Sequence, residues 1–333
     1  MYRYLFLHLS GADMSVCNFY HAVPYHCIMV GVTLLQFLHN NVISNRIITA
    51  PAGTEKLVLN DKNGGTTPSY YGGKSITYRI TELEDAGAAP GKLKGKKIVN
   101  FGDSIFGRGQ GETGISGRLA YKTGATVYNC GLSGSSMTLR TMAASAGYNP
   151  FAMCSLADSI AAGDFSAQVA ALSESEKPAQ AADVTSMLSG LDFTEIDYVT
   201  IALGTNDYGY PMELDNENNK KDKTTICGAL RHSIETLLTA YPNLIIVVLS
   251  TIYRATYSEG EYIDKGVCSK GYDLQGLNDA LEGVADEYHL KYIDNFNVGF
   301  NKWTCPQYYA SNDGTHPDIA GFEVLAENIS AHL

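Results

Sequence analysis

Ser104 follows an acid in the stretch Phe101-Gly102-Asp103-Ser104, and far downstream Asp313 and His316 stand three apart in Asp313-Gly314-Thr315-His316-Pro317. A serine hydroxyl is a weak nucleophile until an imidazole takes its proton, and a carboxylate must hold that imidazole in the right tautomer and stabilise its charged form. The i,i+3 spacing lets Asp313 reach back to the ring of His316 from the same loop, while Pro317 suits the first position of a following helix. Each piece has a plainer reading alone. Asp103 or Ser104 can simply cap the helix after a strand, His316 can be an ordinary loop residue, and Asn206 with Asp207 can stabilise a turn. Their joint occurrence favours acyl chemistry.

These groups need a scaffold. From Lys97 onward, apolar strands at 97–101, 126–129, 198–203, 244–250 and 291–294 alternate with helical stretches, which predicts a parallel sheet covered on both faces. A helix from Ile226 to Tyr241 ends before Pro242, and another from Leu274 to Tyr288 carries Leu274, Leu277, Leu281, Val284 and Ala285 at helical spacing. The segment 132–196 reads as a helical excursion, with patches around 155–162 and 179–188. In such a sheet, reactive groups collect at the carboxyl ends of the strands. Ser104 follows the first strand, Asn129-Cys130-Gly131-Leu132-Ser133-Gly134 the second and Gly204-Thr205-Asn206-Asp207 the third, while the Asp313 to Pro317 stretch precedes the last helix.

These four blocks, in this order, resemble the GDSL or SGNH hydrolase family over residues of about 97–333. The resemblance implies a three-layer α/β/α sandwich on a parallel, flavodoxin-like sheet, carrying a serine esterase; no cofactor is expected, and nothing in the mechanism calls for a metal. It implies Ser104 as nucleophile, His316 as base and Asp313 as the acid behind it. It also implies an oxyanion hole built from the backbone N–H of Ser104, the backbone N–H of Gly131 and the side-chain amide of Asn206. Glycine at 131 makes sense there, since a side chain would crowd the substrate. Asp103, Tyr208 and Tyr253 are candidate substrate contacts, whereas Asn129 and Asp207 read as residues that hydrogen-bond the loops.

The first part of the chain looks different. Residues 1–83 contain short apolar or alternating runs separated by turn clusters, a strand-rich accessory segment that could be an incomplete jelly-roll-like module or a truncated start. Residues 84–96, rich in Gly, Ala and Lys, read as a linker, so the catalytic domain is expected over 97–333. Two phosphate-binding look-alikes are set aside. Gly109-Gln110-Gly111-Glu112-Thr113-Gly114 lies too far past its strand for a dinucleotide turn, and no acid ends the next strand. Pro68 to Ser75 ends like a P-loop but has Pro68 in place of the first glycine and runs into a strand pattern.

With 333 residues, 45% of them hydrophobic, the chain can bury a sizeable core. A formal charge of -11 disfavours a nucleic-acid partner, which would call for clustered cations. Seven cysteines without a C-x-x-C pair spell neither a zinc site nor a redox motif, and the odd count favours free thiols, with a single bridge left open. The longest apolar run, Cys27 to Leu38, falls short of the roughly 20 residues of a membrane span. No export signal is legible in the first residues, and the location stays open between a secreted or particle-associated protein and others. The absence of a G-x-S-x-G elbow turns the reading away from the α/β-hydrolase lipases. Twenty-two tyrosines offer flat faces for sugar rings, and Ala, Ser and Asp dominate 132–196 where an acyl-chain lid would be apolar. The expected substrate is therefore a small-molecule or polysaccharide ester, with acetyl on a carbohydrate foremost. The rivals are a broader lipase, thioesterase or arylesterase with the same site, and a non-catalytic carbohydrate-binding protein on this scaffold.

Overall fold

The computed structural model describes residues 91–333, without the side chains of 143–146, and within residues 1–90 only a two-residue parallel pairing of Tyr4–Leu5 with Lys56–Leu57. The chain divides between Ala89 and Pro90. The strand-rich reading of 1–83, the first part of the expected linker and the P-loop-like stretch lie outside the described residues. The turn at 91–95 is tied to the residues before the second strand of the sheet: Leu93 N–H donates to Thr123 O at 3.0 Å, and the Leu93 side chain is buried beside Ile98 and Ala125.

The apolar runs form five parallel strands, β1 (Lys97–Gly102), β2 (Thr126–Gly131), β3 (Tyr198–Ala202), β4 (Ile245–Leu249) and, after a separate antiparallel hairpin of β5 (Ala255–Ser258) with β6 (Glu261–Asp264), β7 (Lys291–Ile293). Their order in the sheet is β2-β1-β3-β4-β7, the flavodoxin-like arrangement. Helices lie on both faces because both are apolar. Val99, Phe101, Val199, Ile201, Ile246 and Val248 join one core with α3 (Met153–Ala162), α5 (Ala181–Gly190), α7 (Ile226–Ala240) and α8 (Leu274–Glu287). On the other face Val247, Leu249 and Ile293 meet α2 (Ile115–Thr123) and α10 (Ile319–His332) through Ile115, Leu119, Phe322, Leu325 and Ile329. Each such fully buried side chain contributes roughly 1.5–3 kcal/mol relative to exposure.

Four short helices join these elements, α1 (Ser104–Gly107), α4 (Ser166–Ala171), α6 (Thr205–Gly209) and α9 (Cys305–Tyr308), two of them, α1 and α6, directly after strands. The register pairs Gly102 with Gly131 on one side and with Ala202 on the other, so the carboxyl ends of β1, β2 and β3 finish level. That alignment brings the blocks beginning at Asp103, Leu132 and Leu203 to one edge of the sheet.

The glycine-rich stretch after α1 has a packing role. A Cβ at Gly114 would stand 1.7 Å from Gly109 O, and one at Gly117 would stand 2.2 Å from Gly111 O. These glycines let the loop fold onto the start of α2. Five described cysteines, Cys130, Cys154, Cys227, Cys268 and Cys305, carry free thiols. Among the described residues, no helix is long and apolar enough to cross a membrane, and no cluster of three His, Cys, Asp or Glu side chains could hold a metal ion.

Replacing Gly114 by alanine forces backbone apart in a closed loop, and overpacking of this kind costs typically about 1–3 kcal/mol. Urea unfolding of Gly114→Ala is expected to show that loss with an unchanged m-value.

Candidate active site

β1 ends at Gly102, and the chain turns at once into α1. Asp103 caps that helix, its Oδ1 accepting from Ile105 N–H at 2.8 Å, which leaves Ser104 as the first helical residue. A helix start leaves its first N–H groups without intrahelical acceptors, and the Ser104 N–H has no hydrogen-bond partner among the described residues.

His316 comes from a loop between α9 and α10 that is stitched to itself and to the hairpin. Ala310 N–H donates to His316 O at 2.9 Å, Asp313 N–H to Ala310 O at 2.9 Å, and Asp318 N–H to Tyr308 O at 2.8 Å. Ala255 N–H at the start of β5 donates to Gly314 O at 2.7 Å. Only glycine fits at 314, since a Cβ would stand 2.4 Å from Ala255 O. Asp313 Oδ1 accepts from the N–H groups of Thr315 (2.8 Å) and His316 (3.1 Å), and its Oδ2 lies 2.7 Å from His316 Nδ1. The other ring nitrogen, Nε2, lies 2.8 Å from Ser104 Oγ. A carboxylate can only accept, so Nδ1 carries the hydrogen and Nε2 is left to accept from the serine O–H.

The electrostatics follow from burial and two arginines. Burial lowers the basicity of His316; Asp313 opposes this, while the Arg108 and Arg254 cations reinforce it, and the ring rests below the ordinary histidine value. Burial would raise Asp313, but the hydrogen bonds from Thr315 and His316, with the charge of His316, hold the carboxyl below the usual carboxylate range. Arg108 Nη1 stands 3.4 Å from Asp313 Oδ2, and Arg254 Nη1 donates to Thr205 O at 2.6 Å. Burial pushes the Asp103 carboxyl up to about 7.

The expected oxyanion groups are placed unequally. Gly131 N–H donates to Asn129 Oδ1 at 3.0 Å and so is not free. A Cβ at Gly131 would stand 2.4 Å from Gly107 N, so this glycine serves the contact with α1. Three residues on, Gly134 has φ of 84° and no partner for its N–H among the described residues. The Asn206 amide donates one hydrogen to Ser135 O at 2.7 Å, which anchors the side chain beside that turn and leaves its second hydrogen. Asn129 and Asp207 do hydrogen-bond the loops. Asn129 Nδ2 donates to Phe106 O (3.1 Å) and Gly109 O (3.3 Å), and the buried Asp207 carboxylate accepts from Met137 N–H, Thr138 N–H and Thr138 Oγ1.

Two expected substrate contacts have their polar groups engaged within the protein. Asp103 is 1% exposed and spends its carboxylate on the cap, and Tyr208 is 7% exposed with its hydroxyl donated to Gly266 O. Tyr253 is half-buried and donates to Asp264 Oδ1 at 2.5 Å. Sequence reasoning passed over Arg108, Arg254 and Gly134. Arg254 carried a usable signal, since it stands just past the carboxyl end of β4, where functional groups gather. Gly134 closed the very block that Gly131 was chosen from.

The GDSL-like Lipase/Acylhydrolase family model matches residues 100–324. No curated protein matches the sequence. Among solved structures, a Lactobacillus plantarum protein shares the fold at 19% identity and a TM-score of 0.51, covering 72% of this chain and 96% of its own. The carbohydrate acetylesterase Est24 of Sinorhizobium meliloti is similar at 16% identity and a TM-score of 0.45, covering 71% of this chain and 97% of its own. The family match runs from the first strand of the sheet into the last helix, and the chain belongs to the GDSL-like lipase/acylhydrolase family of ester hydrolases.

Proposed function

We propose that the protein is a serine esterase that removes small acyl groups, acetyl foremost, from a carbohydrate ester through an acyl-enzyme. The observation that carries this reading is the unbroken line Asp313 Oδ2, His316 Nδ1, His316 Nε2, Ser104 Oγ, with links of 2.7 and 2.8 Å. Ser104 Oγ attacks the ester carbonyl carbon while its proton passes to His316 Nε2. Asp313 stays ionised and stabilises the imidazolium. The carbonyl oxygen, now negative, is met by the N–H groups of Ser104 and Gly134 and the second amide hydrogen of Asn206. The alcohol leaves with the proton from His316. Water then attacks the acyl-serine carbonyl, giving its proton to His316, which returns it to Ser104 Oγ as the acid departs.

The small-acyl preference is supported by the helical excursion. Its large apolar side chains, Met153, Ile160 and Leu188 among them, are turned into the core and do not form a lid.

Nitrophenyl esters of increasing chain length and acetylated xylan, assayed with wild type and Ser104→Ala, test mechanism and substrate together. Wild type is expected to release acetate faster than octanoate, and Ser104→Ala to lose at least about 10³-fold in kcat. Unchanged turnover in Ser104→Ala refutes the serine mechanism, and a preference for octanoate moves the reading to a lipase. Asn206→Ala is expected to lower kcat by about 10²- to 10³-fold with little change in KM.

The depressed basicity of His316 fixes the sign of the pH dependence. The imidazole must be neutral to act as base, and its protonation is disfavoured, so the acid limb of kcat/KM should fall below about pH 6.5, the ordinary histidine value. Arg108→Gln removes a cation that resists protonation, so the limb should move to higher pH in a stopped-flow pH profile.

A further inference from the structure

Two arginines are buried in the catalytic unit, and they are balanced in opposite ways. Arg231, 6% exposed, grips Glu287 through Nε (2.6 Å) and Nη2 (2.7 Å) and reaches Asp215 through Nη1 (2.8 Å). That is how this chain neutralises an interior guanidinium for structural purposes. Arg140 is 4% exposed and has no ion-pair partner among the described residues. Its Nη2 donates to Gly134 O and the Tyr210 hydroxyl lies close enough to favour its charge, while Nε and Nη1 have no hydrogen-bond partner among the described residues. The Asp207 carboxylate feels its charge but is committed to Met137 and Thr138.

The guanidinium is instead layered between two rings, 4.7 Å from the Tyr148 centroid and 4.1 Å from that of Tyr210. Arg140 and Tyr210 line a cavity of about 250 Å³, whose other charges, Lys270 and Glu213, pair with each other at 2.6 Å. The unbalanced charge of the cavity is therefore that of Arg140. A desolvated guanidinium with free donors is unfavourable when empty and favours an anion able to take two parallel hydrogen bonds. The cavity adjoins the chemistry. Gly134, whose carbonyl Arg140 holds, carries a candidate oxyanion N–H. A Cβ there would stand 2.8 Å from Tyr148 Cε1, and Tyr210 N–H donates to Asn206 O at 2.8 Å.

We infer that Arg140, stacked between Tyr148 and Tyr210, heads a subsite for a carboxylate carried by the substrate. Nε and Nη1 are buried in this structure, so the proposed subsite requires the groups over them to give way, and Tyr210, 43% exposed, is the freer half of the stack. The site deepens the esterase reading, and its turnover assay rests on that reading, but carboxylate binding does not.

The test compares matched pairs that differ only in a carboxylate. On the acyl side, the pair is the nitrophenyl monoester of succinate against nitrophenyl butyrate; on the alcohol side, acetylated trigalacturonate against its methyl ester. Wild type should favour the carboxylate member of one pair, and which pair responds identifies the half of the ester that enters the subsite. In Arg140→Gln that kcat/KM ratio should collapse by about 10- to 100-fold, as expected for a lost charge-assisted hydrogen bond. A merely structural arginine lowers both members together and leaves the ratio unchanged, which overturns the inference, as does a wild type indifferent to the carboxylate in both pairs. Calorimetric titration of the full chain with succinate and with trigalacturonate gives a readout independent of turnover. Binding lost in Arg140→Gln upholds the subsite even in a protein without esterase activity, and binding of neither by wild type refutes it. If Arg140→Gln does not fold, Arg140→Lys, which keeps the charge but loses the planar pair of donors, should weaken the same ratio or the same binding, and an unchanged value overturns the inference.

Discussion

The 2.8 Å contact between Ser104 Oγ and His316 Nε2 joins residues 212 positions apart, and most of the catalytic unit can be understood as the means of making that contact possible. One side depends on β1, whose last residue is level with those of its neighbours, and on Asp103, which turns the chain into α1 at the following residue. The other side depends on a loop with no regular structure of its own. Its order comes from its backbone bonds and from the Asp313 carboxylate, which accepts two backbone N–H groups with one oxygen and faces the ring with the other. The same atom set that orients the imidazole therefore also helps to fold the loop that carries it.

Buried charge recurs around this contact in different states of balance. Asp207 is 0% exposed and is satisfied by Met137 and Thr138, which pins the segment after β2 to α6. Asp103 is sealed beneath the serine, with its carboxyl pushed up to about 7 by burial. Arg254 holds the carbonyl that precedes Asn206 and disfavours a charged His316. In a chain with a formal charge of -11, burial of the imidazole and the Arg108 and Arg254 cations together outweigh the Asp313 carboxylate beside it. Local arrangement, and not the overall balance of charge, sets the protonation of this site.

The central sheet was legible because its strands are continuous apolar runs buried on both faces, a signal carried by a few adjacent residues. The runs expected at 126–129 and 291–294 became Thr126–Gly131 and Lys291–Ile293, differing only at their ends. The hairpin Ala255–Ser258 with Glu261–Asp264 was missed, since its strands are short and half exposed, with no core face to impose alternation. Ser104, Asp313 and His316 were legible as a set because their spacing within each block is local, and the structure brings them together. The block alone does not tell which of Gly131 and Gly134 keeps a free N–H. That turns on an Asn129 side chain that occupies one N–H, and on a left-handed φ at the other glycine. Arg140 and Arg254 were invisible for a related reason, since their meaning lies in partners they lack or in carbonyls of other segments.

The backbone seam between Gly314 and Ala255 carries a consequence for redesign. Because Ala255 N–H and Gly314 O meet at 2.7 Å, and no side chain fits between the two strands of chain, the hairpin and the loop carrying Asp313 and His316 form one mechanical piece. Grafts from relatives that cross over between these segments would break that piece. A chimera meant to alter specificity should exchange residues from 255 to 316 as a block, or leave both ends of the seam native.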